Sequence, residues 1–558
     1  MTKRDGLTGE KQVDDAAWIP PVVGFQSRGM METLRAVLGS AMRNPATMVQ
    51  HQVAFAGEVI KAMTGASDIK PDKGDRRFAD PAWSQHPAYR TLMQMYLAGN
   101  KAWHGVLDDL DVEGIDRDRA KFVVSLMLDA FAPTNTLVNP AAIKRMLETG
   151  GASLVRGFEN MISDMVKEGG MPSMVDKSAF KVGENLATTE GSVVFRNEVL
   201  ELIQYKPLAK QVRQRPFFMV PPPINKYYIM DISPEKSMVR WLLQQGQQVF
   251  IISWRNPKPE HRDWGFDTYA NATKDALKAA LEISKAKDVN MWGGCAGGII
   301  GSVLLGQLAA KKERLVNSLS LNVSILYMPT SSLMGMMATE GGLMKAREHT
   351  GKKGVLDGKD MARMFAWLRP NDLVWNYWVN NYLLGEKPPA FDLLYWNCDN
   401  TRLPSKFHTE LMNIVSNKLL AHPGAFKAGD IPIDLRSVDC DLFALAGDSD
   451  HITPWKSCYD STHFLGGKCD FVLSNSGHIQ AMINPPGNKK ATYFVNSARP
   501  ANPDEWLAGA TQQSGSWWEK WIVWLNERGG DLVAAPQVLG SRSHHPMEAA
   551  PGTYVHEA

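Results

Sequence analysis

The sequence predicts an α/β protein: a mostly parallel sheet covered by helices on both faces, preceded by a helical N-terminal domain and interrupted by a helical insertion. Three features carry that expectation. From about residue 186 short apolar runs alternate with helical stretches, the rhythm of strands joined by helical crossovers. One such run passes through a glycine-rich turn, 293–298, directly into an apolar helix. From Tyr327 to about Leu435 the rhythm breaks into a helical stretch rich in Met and aromatic residues, and then resumes.

Residues 1–185 read as helices separated by Pro- and Gly-marked turns. Apolar residues across 41–63 recur at helical intervals, and Asp80-Pro81 and Asn139-Pro140 each set an N-cap residue before a proline at a helix start. The second region, 186–533, opens with paired strands at 192–195 and 199–205, then a strand at 217–220 running into Pro221-Pro222-Pro223. A helix over 234–246, a strand at 248–253, a long helix near 268–285 and a strand at 289–292 lead to the glycine turn and its helix. A strand at 318–326 closes this half; after the insertion, about 327–435, come strands at 441–447 and 470–475. The last helix sets Trp517, Trp521 and Trp524 on one face, a stripe expected in the core. Residues 534–558 show no periodicity and are expected to form a weakly structured tail.

Composition narrows the function. With 61 basic and 59 acidic side chains the formal charge is +2, so nothing calls for nucleic acid. Seventeen Trp and 28 Met exceed what solvation needs and point to an apolar ligand or interface. The five cysteines have neither CxxC nor Cys/His ligand spacing, so no disulfide framework, metal or cofactor is expected. The start, MTKRDGLTGEKQVDD, has no apolar core of a signal peptide, and the longest apolar stretch, 297–310, is too short to be a transmembrane segment. A soluble protein of a reducing cytoplasm is expected.

The turn Gly293-Gly294-Cys295-Ala296-Gly297 fits a G-x-nucleophile-x-G elbow with Cys in the nucleophile position. The small flanking residues suit a strained strand-to-helix turn, and the helix N-terminus behind it favours a thiolate. Such a turn alone is a weak signal. Downstream, Asp450 follows the strand at 441–447 and His478 the strand at 470–475. Nucleophile, acid and base thus occur in the chain order of the α/β-hydrolase fold, each just past a strand, where open α/β sheets build their sites. Asp448 and His451 are competing choices, read as a turn residue and a loop-packing residue. The oxyanion hole is expected from the backbone N–H of Ala296 and, from the loop after 217–220, that of Ile224 or Asn225, since proline has no N–H to offer.

A thiolate that attacks a thioester makes another thioester at little cost, which keeps the acyl group activated. Cysteine at the elbow therefore tilts the reading toward acyl transfer from a CoA-type thioester, without excluding hydrolysis. The other four cysteines read as small buried hydrophobes. In the insertion, Met328, Met334, Met336, Met337 and Met344 surround Gly335, Gly341 and Gly342. This reads as a helical cap packed on the sheet or a mobile lid that meets an acyl chain or a second subunit.

Taken together these stretches resemble the polyhydroxyalkanoate synthases, most closely the single-subunit-type enzymes of pseudomonads that use medium-chain substrates. The resemblance is carried by RRFADPAW (76–83), APTNTLVNPAA (132–142), EVLELIQYKP (198–207), INKYYIMDISPEKS (224–237), FIISWRNP (250–257) and GGCAGG (293–298). It continues through RPNDLVWNYWVNNYLLG (369–385), AGDSDHITPW (446–455), SNSGHIQ (474–480), NPPGN (484–488) and APGTYVHE (550–557).

The resemblance implies that Cys295 takes the acyl group of an (R)-3-hydroxyacyl-CoA and releases CoA. It implies that His478 activates the thiol, and that Asp450 orients the imidazole or helps activate the 3-hydroxyl of the next monomer. The resemblance further implies a polyester product held as cytoplasmic granules, with the enzyme at the granule surface as a homodimer and phasin-type granule proteins as further partners. Trp396 is implied in a cap or dimer contact. Two positions depart from the family: Ala296 stands where a Ser is expected, and Tyr327 where Asp is usual. Ser324, Tyr327 and Gln480 are expected to line the acyl pocket, so chain-length preference is what these departures affect. Two other readings remain at this level. A thiol hydrolase of the same fold, a thioesterase or polyester depolymerase, would yield free acid; a non-catalytic granule-coat protein would be indifferent to loss of Cys295.

Overall fold

The computed structural model describes residues 35, 37, 39, 40, 42–112, 114–330, 332–337 and 340–558, without the side chains of 333, 337 and 340. Ala41, the N-terminal stretch read for a signal peptide and the Met337 side chain lie outside the described residues.

The core is a ten-stranded sheet. Numbering only its strands, these are β1 (Gly191–Arg196), β2 (Leu200–Tyr205), β3 (Phe217–Val220), β4 (Val249–Trp254) and β5 (Val289–Gly294). The second half holds β6 (Val316–Asn322), β7 (Asp441–Gly447), β8 (Cys469–Ser474), β9 (Thr492–Val495) and β10 (Thr511–Ser514). Their spatial order is β1-β2-β4-β3-β5-β6-β7-β8-β9-β10. The strands from β4 to β8 run parallel, and the antiparallel pairs β1/β2, β2/β4, β8/β9 and β9/β10 finish the two edges.

Strands β3, β4 and β5 are buried along their whole length, as expected of parallel strands covered on both faces. Period-2 alternation still sorts their side chains. Phe218, Val220, Phe250 and Ile252 pack under the helices Phe266–Ser284 and Ala296–Ala310. Phe217, Met219, Val249 and Ile251 pack under the helices Met238–Gln244 and Trp517–Arg528. The long apolar stretch 297–310 is thus a helix buried on nearly every side, the internal alternative to a membrane span. Among the described residues no helix is long and apolar enough to cross a membrane.

The tryptophan stripe is in the core: Trp517, Trp521 and Trp524 are all buried, and Trp517 and Trp521 satisfy their indole N–H groups on the Ala481 carbonyl (2.7 Å) and Ser320 Oγ (3.0 Å). Each such ring removes about 200 Å² from water, on the order of 5 kcal/mol before conformational entropy is counted.

Two expectations fail here. The predicted strand at 318–326 ends at Asn322, because Val323 turns to φ 44° and carries the buried Ile325 and Leu326 into a loop. The tail expected to be weakly structured has little regular structure but is packed. Val193 and Gly191 exchange backbone hydrogen bonds with Met547, Glu548 and Ala550, and Tyr554 and Val555 are buried. The buried Glu201 carboxylate accepts from the Thr553 and Tyr554 N–H groups and from Arg196. Lys226 and Arg402 then donate to the carbonyls of Glu557 and Ala558 (2.6 and 2.8 Å).

The N-terminal helices include Pro45–Thr64, Pro87–Asp109, Gly114–Ala130, Pro140–Glu148 and Ala152–Lys167. Asn139 caps the fourth by accepting from Ala141 N–H at 2.9 Å, and Asp80 accepts from Ala82 N–H at 2.8 Å. These helices clasp the insertion. Tyr382 donates to Asp164 (2.9 Å), Trp378 to the Asn135 carbonyl (3.0 Å), and Asp129 takes both Arg77 and Asn371. The approach is close enough that a Cβ on Gly157 would lie 1.9 Å from the Tyr382 carbonyl oxygen.

Candidate active site

The elbow forms where β5 meets the helix Ala296–Ala310. Between them Cys295 takes φ 48° and ψ −124°, a region that costs a residue with a Cβ about 1–3 kcal/mol. The surroundings hold it there: Cys295 N–H donates to the Asn322 carbonyl at 2.9 Å, and Ser324 Oγ donates to the Cys295 carbonyl at 2.8 Å. Position 297 must be glycine, since a Cβ there would stand 2.1 Å from the Val220 carbonyl oxygen.

The ends of β7 and β8 bring the other two predicted residues to the same place. Asp450 has a fully buried side chain whose Oδ1 accepts from the N–H groups of Ile452 (2.8 Å) and Thr453 (2.9 Å). Its Oδ2 accepts from Thr453 Oγ1 and from His478 Nδ1, each at 2.6 Å. With Nδ1 committed to the carboxylate, the ring's other polar neighbour is the Cys295 side chain, which interacts with it electrostatically. Burial disfavours the imidazolium, but the Asp450 charge and the contact with Cys295 outweigh it, and His478 is raised to about 10. Burial likewise works against the Asp450 carboxylate, yet the His478 charge and its hydrogen bonds hold that carboxyl below its ordinary range.

Two spaces meet at Cys295. One is a wide cleft of about 1520 Å³ walled by the N-terminal domain (Arg76, Asn135), the insertion (Arg369, Trp375) and the loops bearing His451 and His478. The other is an apolar cavity of about 170 Å³ whose walls include Ile299, Met334, Met361, Phe365, Leu411 and Val415.

Of the remaining predicted residues, Ala296 occupies the first position of the elbow helix, and its N–H donates to no protein group among the described residues. Ile224 borders both spaces beside Cys295, and Asn225 and Gln480 border the cleft. Ser324, Tyr327 and Gln480 do not border the apolar cavity. Ser324 is turned onto the Cys295 carbonyl, and Tyr327 is buried with its hydroxyl on Asp460 (2.5 Å). The wall of that cavity comes largely from the insertion. Asp448 is exposed; His451 faces the cleft with its Nδ1 buried and unpaired. Trp396 is buried and makes a cap contact, donating to the Lys226 carbonyl at 2.6 Å. Met328 and Met334 border the cavity, while Met344 is exposed. All five cysteines are free, and burial pushes Cys398 up to about 11 and Cys440 and Cys469 up to about 12, which keeps them as thiols.

Sequence reasoning missed Thr453, which touches both Asp450 (2.6 Å) and His478 (3.1 Å). Its signal was local: a hydroxyl three residues past a loop aspartate is placed to close a side-chain turn. It also missed His408, a buried residue on the cavity wall.

Strand order, elbow and the Asp–His pair define an enzyme of the α/β-hydrolase fold. The family model described as "alpha/beta hydrolase fold" matches residues 229–485, and the one described as "Poly-beta-hydroxybutyrate polymerase (PhaC) N-terminus" matches residues 74–242. The chain is 50% identical to poly(3-hydroxyalkanoate) polymerase 1 of Ectopseudomonas oleovorans and 46% identical to polymerase 2 of that organism, in each case over 96% of both chains. It is 42% identical to the poly(3-hydroxyalkanoate) polymerase subunit PhaC of Cupriavidus necator, over 86% of this chain and 83% of that one. Among solved structures, a hydrolase from Pseudomonas aeruginosa PA01 superposes with a TM-score of 0.31 at 12% identity, over 52% of this chain and 92% of its own. The chain belongs to the poly(3-hydroxyalkanoate) polymerase family, acyltransferases built on the α/β-hydrolase fold.

Proposed function

We propose that the protein polymerises (R)-3-hydroxyacyl-CoA thioesters through a covalent acyl-Cys295 thioester. The observation that carries this reading is the convergence of Cys295, His478 and Asp450 at the junction of a wide cleft and an apolar cavity. An imidazolium at His478 is the partner a thiolate nucleophile needs. The Cys295 sulfur attacks the thioester carbonyl, and the oxyanion takes hydrogen bonds from the Ala296 and Ile224 N–H groups. The C–S bond to CoA breaks as the new C–S bond to Cys295 remains, and the imidazolium proton passes to the departing CoA thiolate.

His478, now neutral and held by Asp450, accepts the 3-hydroxyl proton of the next acyl unit as that oxygen attacks an acyl thioester. An ester bond forms, a thiolate leaves, and one monomer has been added. The apolar cavity takes the acyl substituent and the wide cleft admits CoA and the polymer; a wall made mostly of Ile, Leu, Met and Phe suits medium-chain monomers. Large apolar side chains exposed on the N-terminal domain, among them Phe131, Leu137, Val155, Phe158 and Val166, support a place at the granule surface.

The test is CoA release from (R)-3-hydroxyoctanoyl-CoA beside (R)-3-hydroxybutyryl-CoA, with products sorted into soluble acid and sedimentable polymer. Wild type is expected to make polymer faster from the octanoyl substrate, and Cys295→Ala to make none. Free acid without polymer overturns the reading in favour of hydrolysis, and faster polymer formation from the butyryl substrate overturns the chain-length assignment.

A further inference from the structure

Among the described residues, the apolar cavity beside Cys295 has one polar side chain with neither a hydrogen bond nor an ion pair. Three polar residues border it: Asp360, Thr453 and His408. Asp360 is ion-paired with Lys353 and Arg363, each at 3.8 Å. Thr453 is committed to Asp450. His408 is different. It lies on the helix Ser405–Ser416, is only 7% exposed, and its Nδ1 is buried without a partner. Neither ring nitrogen has a hydrogen bond among the described residues.

A leucine or methionine would fill that place at no such cost. Leu411, Met412 and Val415 of the same helix border the cavity and are what packing alone would select. An unpaired buried polar group is destabilising and calls for a reason. The ring is also uncharged: burial, with Arg347 adding to it, pushes His408 down to about 4. A neutral imidazole offers one N–H donor and one acceptor nitrogen and does not demand a counter-ion.

We propose that His408 is a specificity-determining subsite: its ring hydrogen-bonds an oxygen atom, ether or hydroxyl, carried on the acyl substituent that occupies the cavity. This rests on the assignment of the cavity to the acyl group. At about 170 Å³ the cavity has room for roughly six water-sized groups, one acyl substituent and not a polymer chain, so the oxygen belongs to the monomer. An oxygen-bearing substituent entering so apolar a cavity gives up its water, and His408 supplies the compensating partner. A plain hydrocarbon substituent gains nothing from the ring, so the residue broadens the range of accepted monomers toward oxygenated ones.

The experiment uses unreactive thioether analogues of acyl-CoA, in which the carbonyl is replaced by a methylene, titrated into the full-length protein. One analogue carries an all-carbon chain; the others replace a single chain methylene by oxygen at successive positions. At one position the oxygen analogue is expected to bind wild type at least as tightly as the hydrocarbon. His408→Leu is expected to shift that ratio about tenfold against the oxygen analogue, and His408→Gln, which keeps an N–H donor, to restore most of it. The ratio is internal to each protein and does not depend on the fraction that is folded. A ratio equal in wild type and His408→Leu at every position overturns the proposal. Filling the cavity with Val415→Trp separates the two readings. If filling abolishes binding of the hydrocarbon analogue while the ratio ignores His408, only the subsite falls; if filling leaves binding unchanged, the acyl assignment falls and the subsite with it.

Discussion

One carboxylate oxygen of Asp450 and one ring nitrogen of His478 rest on the hydroxyl of Thr453. Thr453→Val keeps the shape and removes that hydroxyl, so the carboxylate loses a 2.6 Å bond on the oxygen that holds the imidazole. We expect kcat for CoA release to fall about tenfold with KM unchanged, the signature of a group that orients the base without touching substrate. The pair itself has a pH signature. His478 is raised from 6.5 to about 10 in the fold, so the stability it contributes is full below pH 6.5 and is lost as pH rises through about 10. Asp450 is lowered from 3.8, so its share is present above that value and is lost as pH falls below it. Thermal unfolding of wild type against His478→Gln should therefore differ most between about pH 4 and 6.5, and converge by about pH 10; a difference that grows above pH 7 would contradict the assignment. At this scale the three predicted residues were legible because each ends a strand with a recognisable apolar run. Ser324 and Tyr327 stand off the apolar cavity, whose wall is made largely by insertion side chains whose approach no local pattern records.

Elements buried on both faces were the ones the apolar pattern located best: β3 and β7 match their predicted bounds. The strands β9 and β10 were missed for the opposite reason. Thr511–Ser514 is polar and exposed throughout, an edge strand held by backbone pairing with nothing for an apolar pattern to report. The tail was misjudged similarly, since its anchors are the free edge of β1 and the buried carboxylate of Glu201, far away in sequence. Glu201→Leu leaves Arg196 and the Thr553 and Tyr554 N–H groups without their acceptor. We expect a loss of about 3 kcal/mol and faster amide exchange over 547–556, with the elbow helix still protected. Unchanged exchange in the tail would show that Glu201 is not its anchor.

On the scale of the whole molecule the cleft exists because the N-terminal helices grip the insertion across from Cys295. That arrangement could not be read from the sequence: the grip is made by scattered polar contacts and by one close approach, at Gly157. Gly157→Ala pushes a methyl against the Tyr382 carbonyl, and we expect about 1–3 kcal/mol of destabilisation with a rise in KM larger than any change in kcat, because the reacting groups stand on the sheet. Alkylation of Cys295 by iodoacetamide at its wild-type rate would confirm that the elbow is intact in that variant.

The central claim is that the acyl group is carried on Cys295. Octanoyl-CoA has no 3-hydroxyl and cannot propagate, so mixing it with the protein and recording the intact mass isolates the first step. One octanoyl group per chain is expected, mapped to the peptide that contains Cys295 and absent from Cys295→Ala. Release of CoA with no gain in mass, or an adduct on another residue, would contradict it.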